Sequence, residues 1–249
     1  MFFYVCSNLN LSLKKVLYEM SSTINCRRLL KEDIEMSCEE LALYLLGKIV
    51  VRKLEDGQLL KGRILETESY LGGEDKASHS YNGRRTQANE PMYMPVGTLY
   101  VYMTYGMYYC LNISSQEPGA AVLLRALEPF EGIETMRRFR AENNKRGTVI
   151  TKTSLLCNGP SKLCIALNIT KNAFNKVNVL DMRNEKLWFE DDPNFSVENL
   201  KIIRTSRVGI PSAAEWSKKP LRLYIMDNDC VSKRDKIAER MDNYSDMGV

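Results

Sequence analysis

Tyrosine is concentrated in one short segment of the chain, and this segment sets the first constraint on the fold. Six of the thirteen tyrosines lie between Tyr93 and Tyr109, in a stretch that reads MYMPVGTLYVYMTYGMYYCLNIS. Aromatic and β-branched residues favour strands, and Gly106 divides the stretch into two strand-like runs. We therefore predict a β-hairpin of residues 98–105 and 107–114, with Tyr105 at its tip.

Carboxylates and an aromatic ring share one face of another predicted strand. Residues 59–70 form an apolar run, and the period of two puts Glu66, Glu68 and Tyr70 on the same side of it. The only histidine, His79, follows in a long loop without periodicity. Flat aromatic faces beside a carboxylate can hold a planar ring and carry out acid/base chemistry next to it. The grouping predicts a pocket for a nucleobase.

Other local signals predict a chain of mixed α and β structure. A Ser-x-x-Glu capping box at 37–40 predicts a short helix, and an Asp-Gly pair at 56–57 predicts a second hairpin turn. Further signals predict strands at 49–51, 59–70, 120–127 and 221–226, and helices at 131–146 and from 160. We expect a single α+β domain over residues 33–249, with a curved, mainly antiparallel sheet, surrounding helices and a protruding β-hairpin. Residues 1–32 differ from the rest and are expected to form a flexible or processed leader.

Composition excludes several classes of protein without selecting one. The net charge of +4 and the pI near 8.6 permit nucleic-acid binding but do not require it. Seven cysteines without a C-x-x-C pair indicate reduced thiols, and with a single histidine a zinc cluster is not expected. The sequence has no apolar segment of bilayer length, and its opening residues lack the basic region of a secretory signal. We expect an intracellular protein.

Each of these features also has a purely structural interpretation. A tyrosine-rich hairpin can be core packing, either glutamate can be a solvated or ion-paired strand residue, and a lone histidine is usually structural. Arg125 within an apolar strand is harder to explain in this way, because a buried guanidinium requires a partner. Glu68 is the expected partner.

Taken in order, the segments resemble the alkyladenine (3-methyladenine) DNA glycosylase family. The matching runs are LLGKIVVR, GRILETESYLG, HS-x-x-GRRT, PVGTLYVYMTYGMYYCLNISS, AVLLRALEP, CNGPSKL and RVGI. They extend from about Leu41 to Met226, and several long runs in family order are far more specific than any single short motif.

The resemblance implies a monofunctional DNA glycosylase, which hydrolyses the N-glycosidic bond of a damaged purine and leaves an abasic site. The implied substrates are 3-methyladenine, 7-methylguanine, hypoxanthine and ethenoadenine. Because a stacked base is inaccessible, the enzyme turns the nucleotide out of the duplex, and Tyr105 matches the wedge that fills the vacated space. Glu68 matches the general base, and Arg125 and the main-chain carbonyl of Val208 match the groups that hold the attacking water.

The family pattern also implies the residues that hold the base. Tyr70 stacks on one side of it, and His79 and Tyr102 stack on the other. Tyr100 braces His79, and Asn112 disfavours undamaged guanine by crowding its exocyclic amino group. His79 is expected to orient the base, and a role as general acid for neutral purines is the alternative.

Further implications concern the partners of the protein. The residues expected to contact DNA phosphates are Arg84, Thr86, Met107 through its backbone N–H, and Lys162. Ala88 stands where the family often has a basic residue, and Glu90 adds a negative charge, so weaker non-specific affinity is expected. We expect a monomer that needs no cofactor or metal, binds double-stranded DNA but no membrane, and hands its product to an abasic-site endonuclease. In a eukaryote we expect it in the nucleus, with the mitochondrion as a further site, and otherwise in the cytoplasm.

Two alternatives stay open at this point. The chain could be a damage-recognition module that flips a base without chemistry, which product analysis on hypoxanthine-containing duplex would reveal. It could also be an RNA-binding protein that uses tyrosines as stacking platforms, although such a protein requires neither Glu68 nor Arg125.

Overall fold

Two long antiparallel strands, β3 (Leu59–Tyr70) and β6 (Ala121–Glu131), form the centre of the molecule. They are seen in a computed structural model that describes residues 26–144, 150–193, 195–196 and 200–246. The other strands are β1 (Arg27–Arg28), β2 (Ile49–Lys53), β4 (Leu99–Thr104), β5 (Tyr108–Ser114), β7 (Leu187–Asp191), β8 (Ile202–Thr205) and β9 (Arg222–Ile225). The sheet runs in the order β1-β7-β2-β3-β6-β5-β4, and β9 joins it by pairing with β3 on one side and β8 on the other.

Helices and turns pack around this sheet. The α-helices are α1 (Lys31–Ile34), α2 (Cys38–Tyr44), α3 (Ile133–Glu142), α4 (Pro160–Ala166), α5 (Lys171–Phe174) and α6 (Lys236–Asp246), and short 3₁₀ turns lie at Tyr81–Gly83, Glu90–Tyr93, Thr153–Leu155 and Pro211–Ser217. Helix α2 covers one face of β3, where the Thr67 hydroxyl donates to the Ala42 carbonyl. Because side chains alternate along a strand, Glu66 and Glu68 point to the opposite face.

Most of the expected elements are confirmed. The Ser37 side chain caps α2 by accepting from the Glu40 N–H, while the Glu40 carboxylate accepts from the Ser37 N–H. The β2–β3 pair and the β4–β5 hairpin are both antiparallel, and Tyr105 lies between the two strands of the hairpin. The single α+β domain with a mainly antiparallel sheet is confirmed, and the curvature of that sheet stays a prediction.

The helix expected at 131–146 is shifted. Glu131 still belongs to β6, and Gly132 turns the chain with a φ of +74°, a conformation that favours glycine. Helix α3 therefore begins at Ile133 and ends at Glu142, and the last two expected residues lie outside the described ranges. The strand expected at 120–127 is longer than predicted because it stays paired with β3 as far as Glu131.

Most of the expected leader lies outside the described residues, which begin at Cys26. Residues within 26–32 belong to the folded structure, because Arg27 and Arg28 form β1 against β7 and Lys31 begins α1. The described fold thus includes residues before position 33.

Three further observations concern the described residues only. Their six cysteines are all free thiols, and Cys6 lies outside the described ranges. In these same parts of the chain, no group of three or more His, Cys, Asp or Glu residues is placed to hold a metal ion. A search of the described helices finds none with the length and apolar character needed to cross a bilayer.

Candidate active site

A single row of residues across four neighbouring strands forms the base of the site. Glu68 on β3 is opposite Leu123 on β6, which is opposite Asn112 on β5, and Asn112 is opposite Tyr100 on β4. Residues paired in this way point to the same face of the sheet. The antiparallel register therefore brings a carboxylate, an amide and a phenol together.

A cavity of about 310 Å³ opens on this face. This volume lies within the range of small-molecule pockets, about 300–1,000 Å³. Its walls are formed by Tyr70, Ala77, His79, Met92, Tyr100, Tyr102, Thr104, Tyr105, Cys110, Asn112, Ala121, Leu123, Arg125, Pro160, Ser161, Val208, Gly209 and Ile210. All five residues expected to bind the base line this one cavity.

The carboxylate of Glu68 is fully buried and held by three residues that line the cavity. Its Oε1 accepts from the Val208 N–H at 2.7 Å and lies 3.3 Å from Arg125 Nη1, and its Oε2 accepts from the Tyr70 hydroxyl at 3.0 Å. The expected pairing of Arg125 with Glu68 is therefore observed, although Arg125 Nε also reaches Glu66 at 3.3 Å. The contact to Val208 is made by its N–H, and the role expected for its carbonyl stays a prediction.

Opposing effects act on the protonation of Glu68. Burial raises its pKa above the ordinary value of 4.5, and the nearby Glu66 carboxylate adds to that rise. The Arg125 charge and the hydrogen bonds from Val208 and Tyr70 lower the pKa. The net direction is upward, which is the adjustment that brings a carboxylate closer to the working range of a general base.

Three aromatic rings from the loop and β4 form one wall of the cavity. The His79 and Tyr102 rings meet edge to face with centroids 4.7 Å apart. The His79 Nδ1 lies 2.8 Å from the Tyr100 hydroxyl, and the Tyr100 and Tyr102 rings are 5.2 Å apart. The histidine is thus fixed by one hydrogen bond and by ring contacts with both Tyr100 and Tyr102.

The histidine is held in an environment that disfavours its charged form. Burial lowers its pKa below the ordinary value of 6.5, and the positive charge of Arg84 lowers it further. A neutral imidazole is therefore favoured at neutral pH. A neutral ring suits the orienting role better than the role of a proton donor.

Tyr70 is supported by a buried ion pair that local sequence patterns did not indicate. The Arg207 guanidinium lies 4.6 Å from the centre of the Tyr70 ring, and it pairs with both carboxylate oxygens of Asp75 at 2.6 and 2.7 Å. Both side chains of this pair are fully buried. The partners are 132 residues apart, so no spacing motif could have revealed them.

The hairpin tip carries exposed apolar side chains. Tyr105 is 87% exposed, with a φ of +52°, and Met107 is 57% exposed. The Met107 N–H, expected to contact phosphate, bonds to the Thr104 carbonyl at 3.3 Å within the turn.

Asn112, by contrast, is buried, and its Nδ2 donates to the Tyr100 carbonyl at 3.0 Å.

The other residues expected to contact phosphates lie on two separate segments. Arg84 is exposed and Thr86 is half-buried in the loop near His79, where Thr86 bonds to the Asn89 side chain. Lys162 lies in the first turn of α4 and donates to Asn158 Oδ1 at 2.8 Å. Partial burial and the Arg140 charge lower the pKa of Lys162.

Cys110 and Leu123 are cavity residues that the sequence analysis did not single out. Cys110 lies two residues before Asn112 on β5 and is opposite Tyr102 on β4. The period of two along β5 could therefore have indicated Cys110. Leu123 could not have been identified in this way, because its place in the cavity depends on how β6 pairs with β3 and β5.

Comparisons with known proteins agree with this arrangement. A sequence model of the family described as methylpurine-DNA glycosylase matches residues 32–229. DNA-3-methyladenine glycosylase of Mus musculus is 46% identical over 233 residues, which covers 92% of this chain and 68% of that protein. The proteins of the same name from Homo sapiens and Rattus norvegicus are 46% and 48% identical over 226 and 217 residues, covering 90% and 86% of this chain and 74% and 66% of those proteins.

Proposed function

Since this chain belongs to the methylpurine-DNA glycosylase family, we propose that it flips a damaged purine out of DNA and hydrolyses its N-glycosidic bond with a water activated by Glu68. The enzyme is a DNA-3-methyladenine glycosylase, an N-glycosyl hydrolase of base excision repair. The observation that carries the mechanism is the buried Glu68 carboxylate, which does not itself line the aromatic cavity but is fixed by three residues that do, Arg125, Val208 and Tyr70.

The cavity is suited to a planar base. We propose that Tyr70 stacks on one side of the purine and that His79 and Tyr102 stack on the other, each stacked base being worth about 1–3 kcal/mol. Tyr100 holds His79 through the hydrogen bond described above. Asn112, buried at the base of the cavity, would crowd the exocyclic amino group of guanine and so reject it.

The chemical step requires a base and an electrostatic partner for the sugar. An ionised Glu68 accepts a proton from water and offsets the positive charge that grows on the sugar as the bond breaks. We propose that Arg125 and the Val208 carbonyl position this water. The mechanism uses no lysine as nucleophile, so the product is an abasic site with an intact strand.

The hairpin tip is suited to holding the duplex open. An exposed tyrosine at a tight turn can enter the minor groove and occupy the space left by the flipped base. Arg84, Thr86, Met107 and Lys162 are proposed phosphate contacts. For Met107 the N–H would have to exchange its bond to Thr104 for one to phosphate, which the long 3.3 Å distance favours.

The proposed substrate range includes cationic and neutral purines. A cationic base such as 3-methyladenine or 7-methylguanine leaves readily, whereas hypoxanthine and ethenoadenine would need help at the leaving group. A neutral His79 orients these bases rather than protonating them, in keeping with the lowered pKa of its ring.

The setting of the enzyme follows from its substrate. We propose that residues 33–249, together with β1 and the start of α1 just before them, form the glycosylase domain. We also propose that the enzyme acts as a monomer on double-stranded DNA and that an abasic-site endonuclease takes over its product. In a eukaryote the protein would act in the nucleus, with the mitochondrion as a further site, and in a bacterium in the cytoplasm.

A direct test is a single-turnover assay on duplexes that carry one 3-methyladenine, 7-methylguanine, hypoxanthine or ethenoadenine. The proposal predicts release of the damaged base and an alkali-labile site, with no strand cleavage before alkali treatment. Tight lesion binding without base release from any of the four would instead identify a damage-recognition module. Competition by single-stranded RNA at the same affinity would support an RNA-binding protein.

A further inference from the structure

We propose that Glu66 is a positioning residue for the reaction: together with Arg222 and Ser232 it holds Arg125 and the 206–208 loop against Glu68. This inference rests on the proposed function, because it concerns the same active site. Glu66 is fully buried, lies two residues before Glu68 on the same face of β3 and, like Glu68, is not itself a wall of the cavity. Glu68 contacts three wall residues, whereas Arg125 is the only wall residue that Glu66 contacts among the described residues. We therefore place Glu66 one step further from the substrate, where it acts through Arg125.

Both oxygens of the Glu66 carboxylate are engaged. Oε1 accepts from Arg222 Nη1 at 2.7 Å and from Arg125 Nε at 3.3 Å, and Oε2 accepts from the Ser232 N–H at 2.7 Å. Arg125 thus bridges two carboxylates, since its Nη1 lies 3.3 Å from Glu68. An arginine shared in this way is held at two separate nitrogens, which fixes the plane of its guanidinium.

The sheet itself is distorted at this point. Between Ile64 and Thr67 the register of β3 with β6 shifts on both sides of Glu66, and Glu66 is opposite Ala126 rather than Arg125. Irregularities of this kind re-aim a side chain and are common beside active sites. Here the redirected side chain is that of Arg125, and the Glu66 carboxylate accepts its Nε–H hydrogen bond.

Arg222 extends the network to the loop that contacts Glu68. Its Nε donates to the Ser206 carbonyl at 2.8 Å, and its Nη1 donates to the Lys233 carbonyl at 2.6 Å as well as to Glu66. Ser206 is two residues before Val208, whose N–H binds Glu68. The Glu66–Arg222 pair therefore fixes one end of the loop that orients the general base.

The segment after β9 closes the network from the other side. Ser232 contributes its N–H to Glu66, and its Oγ lies 3.3 Å from Arg125 Nη2. This residue lies beyond position 229, where the match to the family ends. A part of the chain outside that match thus contacts an arginine of the active site.

The network also determines the charge balance around Glu68. The titratable or charged groups that face it are Glu66 and Tyr70 on β3, Arg125 on β6, Cys110 on β5 and, through Glu66, Arg222 on β9. Replacing Glu66 by a neutral side chain removes a like charge and leaves Arg125 with Glu68 as its only carboxylate. The ionised form of Glu68 then becomes more favourable.

The test is Glu66→Gln, studied by single-turnover base release as a function of pH on the hypoxanthine duplex. We expect a folded protein with near-normal affinity for lesion DNA and a plateau rate lowered about 10- to 100-fold, because displacement of a catalytic group by about 1 Å has effects of this size. We also expect the acid limb of the profile to move to lower pH. A folded variant with the rate and acid limb of the wild type would overturn the proposal.

Two further variants keep the test decisive. Glu239→Gln is the matched control, because Glu239 is another buried carboxylate, paired with Arg234 and Tyr224 but without contact to Arg125, and it should leave rate and acid limb unchanged. If Glu66→Gln does not fold, Glu66→Asp replaces it: the shorter carboxylate keeps the charge but cannot reach both Arg125 and Arg222 as before, so the rate should fall severalfold while the acid limb stays in place. An unchanged rate in a folded Glu66→Asp protein would then refute the network, whereas absence of base release by the wild type would refute the proposed function itself.

Discussion

The Val208 N–H donates a 2.7 Å hydrogen bond to the Glu68 carboxylate, although the two residues are 140 positions apart in the chain. This contact joins the loop after β8 to the centre of the sheet. Arg125 and Tyr70 hold the same carboxylate from β6 and β3, so its orientation is determined before any substrate binds. Preorganisation of this kind lowers the cost of reaching the transition state.

Tyr70→Phe should move the acid limb of base release to higher pH. The variant keeps the ring that we propose to stack on the base but removes the hydroxyl that donates to Glu68 and lowers its pKa. The pKa of Glu68, already raised above 4.5 by burial, then rises further. Because only the ionised carboxylate can act as a base, activity is lost earlier as the pH falls. Single-turnover rates at several pH values will give the position of the acid limb. An acid limb at the wild-type pH or at lower pH would contradict the assignment of Glu68 as the base.

The chain's only histidine should titrate below its ordinary pKa of 6.5, because burial and the Arg84 charge disfavour the imidazolium. Because this pKa is depressed in the folded state, the neutral ring of His79 contributes to the free energy of unfolding. This contribution is fully present above pH 6.5 and is lost as the pH falls through the folded pKa. Histidine NMR shifts will give the midpoint directly, since there is a single ring to observe. Arg84→Ala should move the midpoint upward, and a wild-type midpoint at or above 6.5 would contradict the neutral orienting role.

Tyr105→Ser should impair base flipping at least about tenfold while leaving the bond-breaking step less affected, because filling the vacated stack offsets an unstacking cost of a few kcal/mol. At 87% exposure the ring contributes little to the core, so thermal stability should not change. Ethenoadenine fluorescence reports flipping separately from base release. Phe130→Ser, at an exposed aromatic residue on β6, is the control and should flip normally. An unchanged flipping equilibrium in Tyr105→Ser would show that Tyr105 is not the wedge that fills the vacated space.

Asp75→Asn should destabilise the protein by about 3–5 kcal/mol, the usual result of leaving one partner of a buried ion pair uncompensated. Both Asp75 and Arg207 are fully buried, and Arg207 also supports the Tyr70 ring. Urea unfolding will measure the loss. The control is Asp181→Asn, which breaks the exposed ion pair with Arg183 and should leave the urea midpoint of unfolding unchanged. A stable Asp75→Asn protein would show that the ion pair does not hold this part of the site.

Local patterns predicted the elements whose signals are contained in a few adjacent residues. The capping box at Ser37 and the turn at Gly106 are examples, because each depends on the residues beside it. The strand that carries Glu68 was also predictable, since residues 59–70 form an apolar run directly after the Asp-Gly turn at 56–57. The resemblance to a known family then supplied a proposed role for each residue, which periodicity alone could not do.

What the sequence did not reveal depends on strand pairing and on distant contacts. Strands β1, β7 and β8 are short and have weak patterns, and they exist because the sheet offers them partners. The Asp75–Arg207 pair and the contact of Ser232 with Glu66 join residues more than a hundred positions apart. Such contacts follow from the tertiary fold and leave no mark in local composition.

The measurement closest to the central claim is single-turnover base release by Glu68→Gln from hypoxanthine-containing duplex, with lesion-DNA affinity measured on the same protein. Glutamine keeps the size and hydrogen-bonding capacity of the side chain but cannot be ionised to accept a proton from water. We expect that no abasic site forms while the affinity stays within a few-fold of the wild type. Base release at the wild-type rate by a folded Glu68→Gln protein would show that this carboxylate is not the general base.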